Sequence, residues 1–87
     1  MSEVELTKRI MAKLTEVFRD VFDDEKIVIT AGTTASDIEM WDSLNHITLI
    51  AAAEDVFGFR FKMSEVSGMQ NVGEMAKIIR LRGKINV

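Results

Sequence analysis

A short run near the middle of the chain brings together residue types that could do chemistry. It reads Met40-Trp41-Asp42-Ser43-Leu44-Asn45-His46-Ile47 and contains a carboxylate, a hydroxyl and an imidazole. Asp42 is a good N-cap, because its side chain can accept hydrogen bonds from the free amides of a helix's first turn. Ser43 would then begin the helix with its hydroxyl in solvent. The amides and the dipole at such a helix start favour an attached or approaching phosphate.

Nothing in the sequence would activate the Ser43 hydroxyl as a nucleophile. His46 is the only histidine in the chain and lies three residues after Ser43, on the same face of the predicted helix. No carboxylate is placed to orient its ring, so a triad is not formed. A lone histidine and the absence of cysteine also argue against a metal site. We therefore expect no enzymatic activity and no bound metal.

Length and composition predict a single small domain over residues 1–87, with residues 84–87 as a frayed tail. The apolar fraction of 47% suits a globular fold with one small core. No apolar run approaches the roughly 20 residues that span a bilayer, and the N-terminus lacks a signal-peptide core. We expect a monomer in the cytoplasm with no membrane span.

The net charge of −3 is unevenly distributed along the chain. The last residues hold Lys77, Arg80, Arg82 and Lys84 and no acid, so residues 1–76 carry a net charge of −7. That body would repel the phosphates of nucleic acids and attract basic protein surfaces. We therefore exclude nucleic acid as a partner.

Capping residues and apolar spacing predict an all-α fold with four helices. The four helices are expected from a Ser2 cap to Phe22, from Ser43 to Phe57, from Met63 to Val66, and from an Asn71 cap to Gly83. The architecture is therefore a four-helix bundle with a long first loop and a short third helix.

The long first loop, residues 23–42, contains one apolar run and one predicted turn. Ile27-Val28-Ile29 is β-branched but has no convincing strand to pair with, so we interpret it as loop packed over the helices. Ser36 and Asp37 could cap a single turn through Ile38.

The second helix is apolar around most of its circumference, so we expect it to be the most buried helix. Leu44, Ile47 and Ala51 have the spacing of a buried stripe. The predicted interior is Leu6, Ile10, Leu14, Phe18, Leu44, Ile47, Ile50, Ala51, Phe57, Phe61, Val72, Met75 and Ile79.

The central run and the sequence after it resemble the acyl carrier proteins. Their mark is Asp-Ser-Leu at the start of the second helix, here Asp42-Ser43-Leu44, followed by Glu54-Asp55-Val56-Phe57-Gly58-Phe59-Arg60-Phe61. The resemblance covers roughly residues 3–82 and is most specific from Trp41 to Phe61. The Trp before this motif and the His after it look like the small stand-alone carriers found beside specialised pathways.

The resemblance implies that Ser43 receives 4′-phosphopantetheine from coenzyme A, through a magnesium-dependent phosphopantetheinyl transferase. It gives Asp42 a second role as a contact for the transferase and its magnesium, and places part of Leu44 beside the prosthetic group. His46 would be either an exposed residue facing partners or a hydrogen-bond donor to the phosphodiester. The arm would hold an acyl group as a thioester for enzymes that load and transfer it, in fatty acid, polyketide or another specialised biosynthesis. We expect such a chain to slide among some of the core side chains.

Departures from the family pattern concern the surface that faces partners. An acid is usual where this chain has Asn45 and Thr48, so the acidic face is thin until Glu54. We expect Asn45, Thr48 and Glu54 to contact partner enzymes. We expect those enzymes to be a dedicated set and not the housekeeping fatty-acid synthase enzymes. Trp41 could plug the loop onto the core or, if partly exposed, anchor a partner.

Two alternatives remain open from the sequence. A peptidyl or aminoacyl carrier would share the fold and the attachment serine. A small helical adaptor, in which Asp42-Ser43-Leu44 is accidental, would leave Ser43 unmodified.

Overall fold

The computed structural model describes residues 2–84. Its helices are α1 (Glu3–Phe22), α2 (Ser43–Phe57), α3 (Met63–Gly68) and α4 (Val72–Arg82), with a single 3-10 turn at Ala35–Asp37. The described residues contain no strand. The predicted all-α fold, with a long first loop and a short third helix, is thus confirmed. Within the same range, no helix combines the length and apolarity needed to cross a membrane.

The helices begin and end where local side chains satisfy their free backbone groups. The Ser2 hydroxyl accepts a hydrogen bond from the Glu5 N–H at 3.2 Å, which caps α1. The Asn71 side chain does the same for α4 by accepting from the Glu74 N–H at 2.9 Å. Gly58 ends α2 with a φ of 65°, a left-handed conformation that glycine adopts without steric cost. All three ends are as the sequence predicted.

The first loop packs over the helices as predicted, without forming a strand. Ile29 is buried, Ile27 is half-buried and Val28 faces solvent. The cap of the following turn was predicted in part. Asp37 takes part in it, because its carboxylate accepts from the Thr34 N–H at 2.9 Å. The N-cap residue is Thr34 and not Ser36.

Two backbone hydrogen bonds attach the first loop to the start of α4. The N–H of Val72 donates to the Thr33 carbonyl at 2.9 Å, and that of Gly73 donates to the Ala31 carbonyl at 2.8 Å. A Cβ at Gly73 would lie 2.9 Å from the Ala31 carbonyl oxygen. The loop can approach the helix this closely only because position 73 is a glycine.

The core lies where α1 packs against α2 and α4. Most of the predicted interior residues are buried, and Leu6 is half-buried. The confirmed residues are Ile10, Leu14, Phe18, Ile50, Phe57, Phe61, Val72, Met75 and Ile79.

The predicted buried stripe of α2 is wrong, because Leu44, Ile47 and Ala51 are all exposed. The side of α2 that faces the core carries a different apolar set with the same helical spacing. Its members are Leu49, Ile50, Ala53 and Phe57. Since α2 is apolar on both sides, periodicity alone could not identify the buried one.

The C-terminal end of α4 is tied to α3 by a charged contact. The Arg82 guanidinium pairs with the Glu65 carboxylate and donates to the Arg60 carbonyl. The hydrogen bond from Arg82 to the Glu65 carboxylate holds the pKa of Glu65 below its ordinary value. The Glu65–Arg82 pair therefore stabilises the folded state at pH values above the ordinary pKa of a glutamate. This stabilisation is lost as the pH falls through the lowered pKa of Glu65.

The chain remains attached to the bundle just beyond α4. The Lys84 N–H donates to the Phe57 carbonyl at the end of α2, at 2.6 Å. The other residues of the predicted frayed tail, 85–87, lie outside the described residues.

We predict that Gly73→Ala destabilises the protein by roughly 1–3 kcal/mol, because the added methyl group overpacks the contact with Ala31. The matched control is Gly68→Ala, since a Cβ at Gly68 meets no atom within 4 Å. That control should leave stability unchanged or raise it by about 0.5–1 kcal/mol, as alanine is the better helix former. Urea denaturation of the two variants measures the free energy of unfolding. Equal losses in both would contradict the proposed close approach.

Candidate functional site

Ser43 is held at the first position of α2 by the cap that precedes it. The Asp42 carboxylate accepts a hydrogen bond from the Asn45 N–H at 2.8 Å, and the Asp42 carbonyl accepts from the His46 N–H at 2.8 Å. The Ser43 side chain is exposed, as predicted. The hydroxyl thus stands in solvent on a rigid helix start, beside backbone amides that favour a phosphate.

Asn45 secures the loop that leads into this helix. Its side-chain amide donates to the Met40 carbonyl at 2.7 Å, and the Asp42 N–H donates to the same oxygen at 3.0 Å. Asn45 is half-buried. The side chain that we expected to face partners therefore has a bond within the protein that fixes the approach to Ser43.

Trp41 lies in the core and not on a partner surface. Only 9% of the residue is exposed, and its ring meets Phe18 edge-on at a centroid distance of 5.2 Å. Of the two predicted roles, the structure places Trp41 in the first, as a plug of the loop onto the core.

His46 makes a hydrogen bond through each ring nitrogen. Its Nδ1 accepts from the Trp41 Nε1–H at 3.0 Å, so the ring proton is assigned to Nε2, which lies 3.2 Å from the Val66 carbonyl. The ring is also half-buried and stacks on Trp41. His46 is therefore half-buried and not the exposed surface residue of the first predicted role. The second role, donation to a phosphodiester, stays a prediction, and it would require the Nε2–H to leave the Val66 carbonyl.

A groove of about 530 Å³ opens beside Ser43, between the start of α2 and α3. This volume is within the range of ligand pockets. The groove is lined by Ala35, Trp41, Asp42, Ser43, His46, Ile47, Met63, Val66, Ser67, Met69 and Gln70. A group attached to the Ser43 hydroxyl would therefore start at the rim of this groove.

Exposed apolar side chains surround Ser43, and we call Met40, Leu44, Ile47 and Met63 the apolar rim. Leu44 is 77% exposed, Ile47 59% and Met63 82%. Leu44 was predicted both as an interior residue and as partly beside the prosthetic group, and the structure places it mostly in solvent. Ile47 and Met63 were not predicted here. The signal for Ile47 was the second apolar face of α2, which is more than a core stripe requires. Met63 begins α3, and no pattern in the sequence placed it beside Ser43.

The other two residues expected to face partners differ in availability. Thr48 is exposed on α2. Glu54 is half-buried, and its carboxylate accepts from the Phe61 N–H at 2.8 Å, so it secures the extended segment after α2. Glu54 also lies eleven residues after Ser43, roughly 16 Å along the helix. The structure therefore brings Asp42, Ser43 and His46 together at the groove and leaves Glu54 at the far end of α2.

Comparison with known proteins agrees with this geometry. The sequence model described as the phosphopantetheine attachment site matches residues 12–79. The fold is similar to the solution NMR structure of a holo acyl carrier protein from Geobacter metallireducens, with 42% sequence identity over 79% of each chain and a TM-score of 0.75. Comparison with curated protein sequences gave no significant match. The chain belongs to the family of phosphopantetheine-attachment domains, as an acyl carrier protein whose covalent cofactor is 4′-phosphopantetheine.

Proposed function

We propose that Ser43 is the attachment point of 4′-phosphopantetheine, and that the chain presents an acyl group to the enzymes of a specialised biosynthetic pathway. The observation that carries this proposal is the position of Ser43. Its exposed hydroxyl stands at the start of α2, directly after the Asp42 cap and on the rim of the 530 Å³ groove. These residues fit the group, since the helix start favours the phosphate and the groove can accept part of the arm.

The chain's own residues bind, position and expose the cofactor. Asp42 fixes the first turn, so the backbone at Ser43 presents the hydroxyl at a defined place on the helix start. His46 is not free to activate the hydroxyl, because both of its ring nitrogens are paired, with Trp41 and Val66. The Asp42 carboxylate is engaged as the cap of α2. A phosphopantetheinyl transferase must therefore activate Ser43. When attached, the cofactor supplies a thiol that carries the acyl group as a thioester.

Carriers of this kind work by tethering. A cargo fixed to Ser43 reaches a partner's active site as part of a docked complex, so its effective concentration there is raised without a new contact. The apolar rim and the Asp42 carboxylate lie nearest to Ser43 and are the surface that a transferase or an acyl-handling enzyme meets first.

The partner surface of this chain carries less negative charge near Ser43 than is usual in the family. Thr48 is exposed and neutral, Asn45 is bonded to Met40, and Glu54 is bonded to Phe61. An enzyme that docks through Lys and Arg side chains would meet few acidic side chains here. An enzyme with an apolar docking surface could pack against Leu44 and Ile47. This supports a dedicated set of enzymes over the housekeeping fatty-acid synthase set.

For attachment, we predict that Ser43→Ala folds like the parent and is not modified, since only the hydroxyl is lost and Asp42 still caps α2. The variants are incubated with coenzyme A and a transferase, and the intact mass is measured. Ser67→Ala is the matched control, because Ser67 is an exposed serine that lines the same groove. The control should gain one phosphopantetheinyl group. Modification of Ser43→Ala would show that the attachment residue is wrong, and an unmodified parent would favour the adaptor alternative.

For partner choice, we predict that Thr48→Glu improves turnover by a housekeeping fatty-acid synthase enzyme. One exposed ion pair is worth up to about 1 kcal/mol, so kcat/KM should rise by at most about fivefold. Thr48→Gln is the control for side-chain size without charge and should not change kcat/KM. Asn45→Asp is a poor test, because it would remove the donor to the Met40 carbonyl. A parent that is already as good a substrate as a typical carrier would contradict the dedicated-partner proposal.

A further inference from the structure

His46 occupies the place on α2 where the groove meets the core. It lies three residues before Leu49 and four before Ile50, so it continues the buried stripe of the helix toward its N-terminus. Leu49 is fully buried and Ile50 nearly so, whereas His46 lines the groove. The imidazole ring therefore separates the groove beside Ser43 from the apolar side chains one turn further along.

Hydrogen bonds hold that ring in place from two directions. The Trp41 Nε1–H donates to Nδ1 from the end of the first loop, and Nε2 reaches the Val66 carbonyl in α3. Trp41 is itself fixed against Phe18 of α1. The loop, α2 and α3 are thus joined through one side chain at the inner wall of the groove.

This connection opposes the passage of an alkyl chain from the groove into the core behind His46. To reach Leu49 or Ile50 from Ser43, the chain must displace the His46 ring from Trp41 or from Val66. The displaced donor and acceptor would be left partly buried without partners, which costs free energy that offsets the gain from burying methylene groups. The groove itself requires no such opening. Its lining is mostly apolar and includes Ile47, Met63 and Met69, with Ser67 and Gln70 as polar side chains.

We infer that His46 is a specificity-determining gate that keeps the cargo in the groove and out of the core. The cargo class that fits is a short acyl group, carried at the surface next to Ser43. The inference rests on the proposed attachment at Ser43. It replaces the sequence-based expectation that an acyl chain slides among the core side chains.

The test compares cargo of two lengths on the intact protein. A transferase loads butanoyl- or dodecanoyl-pantetheine from the corresponding acyl-coenzyme A, and intact mass establishes that loading occurred before any other measurement. The parent should give the same melting temperature with both cargoes. In His46→Ala, the dodecanoyl form should melt higher than the butanoyl form. On this variant, hydroxylamine should also cleave the dodecanoyl thioester several-fold more slowly than the butanoyl thioester, because the longer chain has entered the protein.

Two further variants make the result specific to His46. Gly73→Ala loosens the contact between the first loop and α4, away from the groove, and should keep equal melting temperatures for the two cargoes. His46→Leu places a larger apolar side chain than alanine at position 46 but makes neither of the two hydrogen bonds of His46. It should show the same dependence on chain length as His46→Ala and replaces it if the alanine variant does not fold.

Three outcomes would contradict the role of His46 as a gate. The first is a parent that melts higher with dodecanoyl than with butanoyl cargo. The others are His46 variants whose melting temperature does not depend on chain length, and a Gly73→Ala variant whose melting temperature does. Failure of the proposed function has a different signature, since the parent would then gain no mass in the loading step. The two failures are therefore distinguished before any melting curve is recorded.

Discussion

The hydrogen bond from the Trp41 indole to His46 is the contact on which the site depends. Trp41 is buried against Phe18, so the end of a twenty-residue loop is fixed to α1 just before α2 begins. The hydrogen bond to His46 then connects that loop to α2, and the hydrogen bond from His46 to Val66 connects α2 to α3. Ser43 lies between Trp41 and His46 in the sequence. On either side of it, the buried Trp41 ring and the half-buried His46 ring anchor the backbone, while Ser43 itself stays exposed.

Several polar side chains of α2 and its cap form hydrogen bonds with the protein's own backbone. Asp42 caps α2 and Asn45 donates to the Met40 carbonyl, both beside Ser43. At the far end of α2, Glu54 accepts from the Phe61 N–H. Groups that would otherwise give this surface its charge and hydrogen-bonding capacity are thus partly occupied. What remains near Ser43 is the apolar rim, and exposed apolar surface of this kind is typical of sites that bind other molecules.

The exposed face of α2 and its buried face have opposite consequences for stability and function. Burial of Leu49, Ile50 and Phe57 stabilises the bundle, because apolar surface is removed from water. Leu44 and Ile47 leave apolar surface in water, which gains nothing for the isolated protein. Their exposure is consistent with a surface that is completed by a partner, and it places the apolar contacts of such a partner within one helical turn of Ser43.

The sequence by itself determined the features that depend on neighbouring residues. Helix ends are set by bonds across three or four positions, so the caps at Ser2, Asp42 and Asn71 could be predicted from residue types alone. The same holds for the left-handed end of α2 at Gly58. The all-α fold and the exposed hydroxyl of Ser43 followed from these local patterns.

The tertiary structure decided what local spacing leaves open. Both faces of α2 have helical apolar periodicity, and only the packing of α1 selects the one with Leu49 and Ile50 for burial. The roles of His46 and Glu54 depend on the carbonyl of Val66 and the amide of Phe61, which the fold brings close from 20 and 7 residues away. No pattern within α2 specifies those partners, because a hydrogen bond between separate elements exists only once packing has set their distance.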